Sequence, residues 1–242
     1  MTSTQAGTDR RTSGDDGTGP DLPTGAAATY KLASVLLQYP TRSLLEGLDT
    51  LGAALERVPR RPRAELARFL DWLAGTPSAD VAVHYVETFD LRRRCSLYLT
   101  YFRSGDTRNR GMAMLAVKTA YRVAGFTPSD DELPDYLPLV LEFAALSPRG
   151  ETLLARHRAD LELLRRGLER AESPYLAVVE AVCVQLPGLG RRELAAVTRA
   201  WETGPPQEAV GLEPFAPPEY LGGYPTGRAG AAAPTGTEED RR

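Results

Sequence analysis

The chain has 242 residues, 42% apolar and 25% charged, with a formal net charge of −3. This length supports one domain with a sizeable core, the composition is that of a water-soluble globular protein, and the charge offers no global field for nucleic acid. Two cysteines, Cys95 and Cys183, far apart and without a CxxC, argue against a disulfide framework or a zinc site.

Met1 to Thr24 is rich in Gly, Thr, Ser and Asp and nearly free of large apolar residues, so residues 1–25 are expected to form a disordered tail. Arg10-Arg11 has no apolar run behind it and reads as tail charge rather than a twin-arginine signal, which points to the cytoplasm. No run reaches the ~20 apolar residues a membrane helix needs, so direct membrane insertion is not expected. From residue 26 to 203 helical periodicity dominates. Leu44, Leu48, Leu51, Leu55 and Val58 lie on one helical face, and Leu66, Phe69, Leu70 and Leu73 repeat the pattern. Pro40, Pro59 and Pro77 punctuate these segments. Met112, Leu115, Thr119 and Val123 mark a further helix, with Asp106 as its expected cap and Gly125 as its stop. Leu153, Leu154, Leu161, Leu164 and Leu168 predict one long charged helix. Val178, Val179, Val182 and Leu186 predict another, entered through Ser173 as N-cap and Pro174 as first residue. Leu194, Val197 and Trp201 mark the last. No segment alternates with period two, so the fold is expected to be all-α, a compact single-domain bundle of about eight to ten helices. Residues 204–242, rich in Pro, Gly and Ala, are expected to be mostly disordered, with an aromatic island at Phe215 to Tyr224.

The stretch Tyr85 to Phe143 holds more rings and charges than a bundle needs. "SDDE" (Ser129 to Glu132) reads as a capping box, and "DYLP" as a second helix start with Asp135 as cap and Pro138 in the first turn. The acids Asp130, Asp131, Glu132 and Asp135 either cap helices or form an acidic rim for a basic peptide. Arg108 and Arg110 in "GDTRNRG" point in different directions on a helix, and one of them is expected to pair with Asp90 or with an acid near Asp135. Gly111 is expected to allow close helix approach. Tyr85, Phe89, Tyr98, Tyr101 and Phe102, with Leu97, Leu99, Leu137 and Phe143, are either core or the lining of a groove; tyrosine suits a site that is apolar at one end and wet at the other. There is no phosphate loop, GxSxG or HExxH, so nothing supports an enzyme. His84 and His157 have no partner ligands at metal spacing. "LRRRC" and "RRGLER" are basic runs that raise a helical nucleic-acid-binding regulator as an alternative; such runs are usually solvated faces.

The runs "YVETFD" (Tyr85 to Asp90), "SLYLTYFRSGDTRNRG" (Ser96 to Gly111) and "ELPDYLPLVLEFAA" (Glu132 to Ala145), in this order, resemble the NarJ-like nitrate reductase molybdenum cofactor assembly chaperones, within the TorD-like redox-enzyme maturation proteins. The resemblance spans Tyr30 to Trp201. It implies a TorD-like bundle that is a chaperone, not an enzyme, and has no cofactor of its own. The implied partner is the catalytic subunit of a respiratory nitrate reductase, both as apoprotein and through its N-terminal peptide; another molybdoenzyme of the same class is the alternative client. The implied oligomeric state is a monomer or a helix-exchanged dimer. Residue by residue, it assigns to client binding or to the motif scaffold Tyr85, Phe89, Asp90, Leu97, Tyr98, Tyr101, Asp106, Arg108, Arg110, Gly111, Glu132, Leu133, Pro134, Asp135, Tyr136, Leu137 and Pro138. The physical expectation is an apolar groove with an acidic lip.

Overall fold

A computed structural model describes residues 25–206 apart from 106, 129 and 130; the expected tails and the island Phe215 to Tyr224 lie outside the described residues. Twelve α-helices occur among them: α1 (Gly25–Leu36), α2 (Arg42–Glu46), α3 (Leu48–Ala54), α4 (Arg60–Gly75), α5 (Ser78–Tyr85), α6 (Tyr101–Ser104), α7 (Asn109–Val123), α8 (Leu137–Leu146), α9 (Pro148–Arg156), α10 (Arg158–Arg170), α11 (Tyr175–Cys183) and α12 (Arg191–Thr203). No strand forms among the described residues; a single antiparallel bridge joins Tyr98 to Tyr136. The all-α expectation holds, but the number of helices exceeds it.

The excess comes from breaks that periodicity does not register. The face Leu44 to Val58 is carried by α2, α3 and a 3-10 turn, divided at Gly47, whose backbone leaves the helical region. The long helix expected over Leu153 to Leu168 is two helices, α9 and α10, parted at His157. There the His157 Nδ1 lies 2.8 Å from the buried Asp160 carboxylate, which also accepts from Arg103 Nε at 2.9 Å. Both halves keep their leucines inward, so the apolar stripe runs straight through the break. Ser173 is not the N-cap of α11: that helix starts one residue later, after Pro174, and Ser173 Oγ bonds His84 Nε2 at 2.9 Å.

The core is built on α8 and α11, which bury residues on nearly every side. Helix α1 packs on α8, α8 on α9, α4 on α11, and α10 on α11 and α12. Cys95 and Cys183 are both buried and unbridged, and burial pushes each thiol up to about 11, so neither is a reactive thiolate at neutral pH. Two glycines within helices set close helix approaches. A Cβ on Gly167 of α10 would stand 2.0 Å from the Arg94 carbonyl oxygen, and one on Gly150 of α9 would stand 2.4 Å from the Phe143 backbone. No backbone can yield that much space cheaply, so these positions decide how tightly α10 and α9 dock.

Alanine at Gly167 or Gly150 is therefore expected to lower unfolding free energy by about 2 kcal/mol or more, because overpacking exceeds the helix-propensity gain. Gly52→Ala in α3, where a Cβ meets nothing within 4 Å, is expected to raise it by about 0.5–1 kcal/mol. Urea unfolding of the three variants checks the contrast.

Candidate functional site

The motif residues are organised around one buried carboxylate. Asp135 is fully buried, and its Oδ2 accepts from the Thr100 backbone N–H at 3.1 Å and from the Thr100 hydroxyl at 2.6 Å. The Arg110 guanidinium stands 3.8 Å from the same oxygen. Backbone bonds flank this clamp: Leu99 N–H donates to the Asp135 carbonyl at 3.0 Å and Leu137 N–H to the Leu97 carbonyl at 2.7 Å. Arg110 also lies over the rings of Tyr98, at 5.4 Å, and Tyr101, at 5.7 Å. Tyr101 in turn accepts from Arg93 Nε at 2.7 Å. The expected arginine–carboxylate pair thus joins Arg110 to Asp135.

Asp135 is not a helix cap. Helix α8 begins at Leu137 with Tyr136 in the cap position and no side-chain cap, while Pro138 sits in its first turn as expected. The capping box read in "SDDE" rests on Ser129, which with Asp130 lies outside the described residues; Asp131 to Asp135 are not helical, and Glu132 accepts from the Tyr98 hydroxyl at 3.0 Å. Asp106 lies outside them too; α7 has Arg108 in its cap position. Gly125, with φ +72°, does end α7. Gly111 is exposed, and a Cβ there would meet nothing within 4 Å, so it is not the close-approach residue expected.

The rings divide into an inner and an outer set. Tyr85, Phe89, Leu97, Tyr101, Phe102, Leu137 and Phe143 are all buried, as are Pro134 and Pro138. They are walls, not the lining of an open slot. Arg108, Asp90, Glu132 and Leu133 are exposed, and Tyr98, Tyr136 and Arg110 are half-buried. The outer rings form a ribbon. Tyr39 packs edge-on against Tyr85 with centroids 5.4 Å apart, the Tyr85 and Tyr136 hydroxyls lie 3.5 Å apart, and Tyr136 packs on Tyr98 at 5.5 Å. Exposed carboxylates stand along it. Burial, with the Glu132 and Asp90 charges, pushes the Tyr136 hydroxyl up; burial and the Glu132 hydrogen bond push Tyr98 up to about 12. The hydroxyls therefore stay protonated donors, and Tyr98 donates its own to Glu132. Asp90 ends a π-helical turn, Val86–Asp90, that continues α5 and swings this acid toward the ribbon.

Tyr39, nearly half exposed at 48%, was not singled out in the sequence, because a lone ring before Pro40 carries no pattern. The open apolar cavity was also missed. It measures about 340 Å³, lies between α1 and α3, and is lined by Leu32, Val35, Leu51 and Ala54, with Lys31 and Arg57 beside them. Lys31 there is paired with Glu142 at 2.5 Å, and no carboxylate lines the cavity, unlike the acidic lip expected for the motif region. His84 stacks on Tyr175 and bonds Ser173 and Thr88, His157 pairs with Asp160, and no cluster of metal-ligating side chains occurs among the described residues.

Removing the Asp135 carboxylate as Asp135→Ala is expected to cost about 3 kcal/mol, since it strips Thr100 of its acceptor and leaves the half-buried Arg110 without that counter-charge; denaturant unfolding measures it. For His84, burial holds the imidazole below its usual value. The unfolded chain then binds more protons between the two values, so stability falls as pH drops through 6.5 toward the folded value and levels off below it. His84→Gln is expected to flatten that limb in melts compared at neutral and mildly acid pH.

The profile described as "Nitrate reductase delta subunit" matches residues 56–180. A Bacillus subtilis protein named as a nitrate reductase molybdenum cofactor assembly chaperone, NarJ, is 33% identical over 168 residues, covering 68% of this chain and 91% of that one. The Escherichia coli K12 protein named NarJ is 32% identical over 154 residues, covering 62% and 65%. The "nitrate reductase-like protein NarX" of Mycobacterium tuberculosis is 43% identical over 157 residues, and the aligned part spans only 24% of that longer protein. A solved structure from Archaeoglobus fulgidus, described as a redox enzyme maturation protein, superposes with a TM-score of 0.50 at 23% identity, covering 66% of this chain and 92% of that one; it bears on the fold alone. With its helical bundle, its ordered motif runs and these matches, the chain belongs to the nitrate reductase delta subunit family, in the NarJ-like group.

Proposed function

We propose that this chain is a cytoplasmic assembly chaperone for a respiratory nitrate reductase. It binds the apo form of the catalytic subunit, including its N-terminal segment. It supports molybdenum cofactor insertion, and it holds the subunit back from membrane docking until the enzyme is complete. The helical part, residues 26–203, is the working unit. The mechanism is binding and release, without covalent chemistry and without a cofactor of the chaperone's own. The relatives named as assembly chaperones support the reading, and no helix among the described residues is long and apolar enough to cross a membrane.

The observation that carries the reading is the tyrosine ribbon between Asp90 and Glu132. Tyr39, Tyr136 and Tyr98 offer ring faces at the surface, Leu133 stands beside them, and two exposed carboxylates flank the set. This is a surface for a short amphipathic segment with basic residues. Its apolar side chains cover the rings, and its cations meet the carboxylates and ring faces. The Asp135 clamp holds Tyr98 and Tyr136 in register beneath such a segment. Buried motif residues act here by fixing the surface, and exposed ones by touching the client.

A peptide with the authentic N-terminal sequence of the catalytic subunit is expected to bind with micromolar or better affinity in a calorimetric titration. Asp90→Asn with Glu132→Gln is expected to weaken it about tenfold, at roughly 0.7 kcal/mol per exposed charge contact. Folded protein that gives neither heat nor affinity with that peptide counts against the reading.

A further inference from the structure

Helix α7 carries two apolar faces, and only one is used by the fold. Val117 and Tyr121 point into the core, where the Tyr121 hydroxyl donates to the Pro134 carbonyl at 2.8 Å. On the opposite side Met112 is 70% exposed, Leu115 50% and Val123 59%, with Ala116 and Thr119 exposed between them. These residues recur at steps of three and four, so they make one continuous stripe on the outside of an ordered helix. Contiguous exposed apolar surface of this kind marks an interaction site, and methionine suits a surface that adapts to its partner.

The charge around the stripe selects the partner. Helix α7 contains no acidic residue. Lys118 and Arg122, one turn apart, are exposed along one edge of the stripe, and neither has a carboxylate partner among the described residues. A second copy of the chain laid on the same face would bring Lys118 and Arg122 of each chain near those of the other, which repel. An anionic bilayer is a poor match for a chain of net charge −3, and the stripe offers no tryptophan or phenylalanine to sit at an interface. A protein helix with an apolar stripe and carboxylates along one edge satisfies both the surface and the charges.

We propose that the outer face of α7 docks an acid-flanked amphipathic helix of a partner protein. This surface is distinct from the tyrosine ribbon and has the opposite charge preference. The test uses the full chain and two labelled helical peptides as long as α7. Both carry the same leucine stripe; one is flanked by glutamate and the other by lysine. Fluorescence anisotropy is expected to show micromolar, salt-sensitive binding of the glutamate peptide and at least tenfold weaker binding of the lysine peptide. Lys118→Glu with Arg122→Glu is expected to invert that preference, and Leu115→Ser is expected to weaken binding about tenfold. Met112→Ser, at the most exposed position of the stripe, gives the same readout should Leu115→Ser disturb folding. Equal binding of both peptides, or binding that ignores all of these variants, overturns the proposal. So does concentration-dependent dimerisation lost in Leu115→Ser, which makes the face a self-interface, or co-sedimentation with phosphatidylglycerol vesicles lost in the same variant, which makes it a membrane surface.

Discussion

The burial of the Asp135 carboxylate under Thr100 and Arg110 is the constraint on which the motif region depends. A carboxylate with no access to water must be hydrogen-bonded and balanced, and this one takes its partners from two different segments of the chain. The loop before α8 is thereby locked to the segment before α6, and the short bridge between Tyr98 and Tyr136 closes over the lock. Arg110 extends the same network into the rings of Tyr98 and Tyr101, and so ties the start of α7 to it. Residues far apart in sequence are held at ångström precision with little regular structure around them.

That lock divides the motif's labour. Most of its aromatic and leucine side chains are buried in the interior, beneath the outer tyrosines. The surface above presents protonated hydroxyls, ring faces and exposed acids, a combination suited to basic peptides. The open apolar cavity between α1 and α3 and the exposed apolar stripe of α7 lie on other elements, the stripe beside Lys118 and Arg122. The acids beside the tyrosines and the cations along α7 thus give the chain surfaces of opposite charge.

Some of this architecture was legible in residue order. Prolines at 40, 59 and 77 do stand at helix boundaries, the leucines of α4 and α10 do face inward, and Gly125 does terminate α7. The breaks at Gly47 and His157 were not legible, because an apolar stripe continues through a change of helix axis as long as the side chains still reach the core. Met112, Leu115, Thr119 and Val123 did mark α7, but which of its faces turns inward was not legible for a different reason. Both of its faces are apolar, and periodicity reports that a face exists without saying which face meets the protein. Asp135 was misread because acids before a helix usually cap it, and only its position under Thr100 shows that it does something else.

Sequence alone determined the helical class and the family likeness, since these depend on local periodicity, turn chemistry and the order of motifs. Tertiary structure alone decided which rings are interior and which are surface, which arginine meets which acid, and which of the two faces of α7 is left uncovered. Those outcomes depend on what packs against each residue from elsewhere in the chain, and that information is not contained in any window of neighbouring residues.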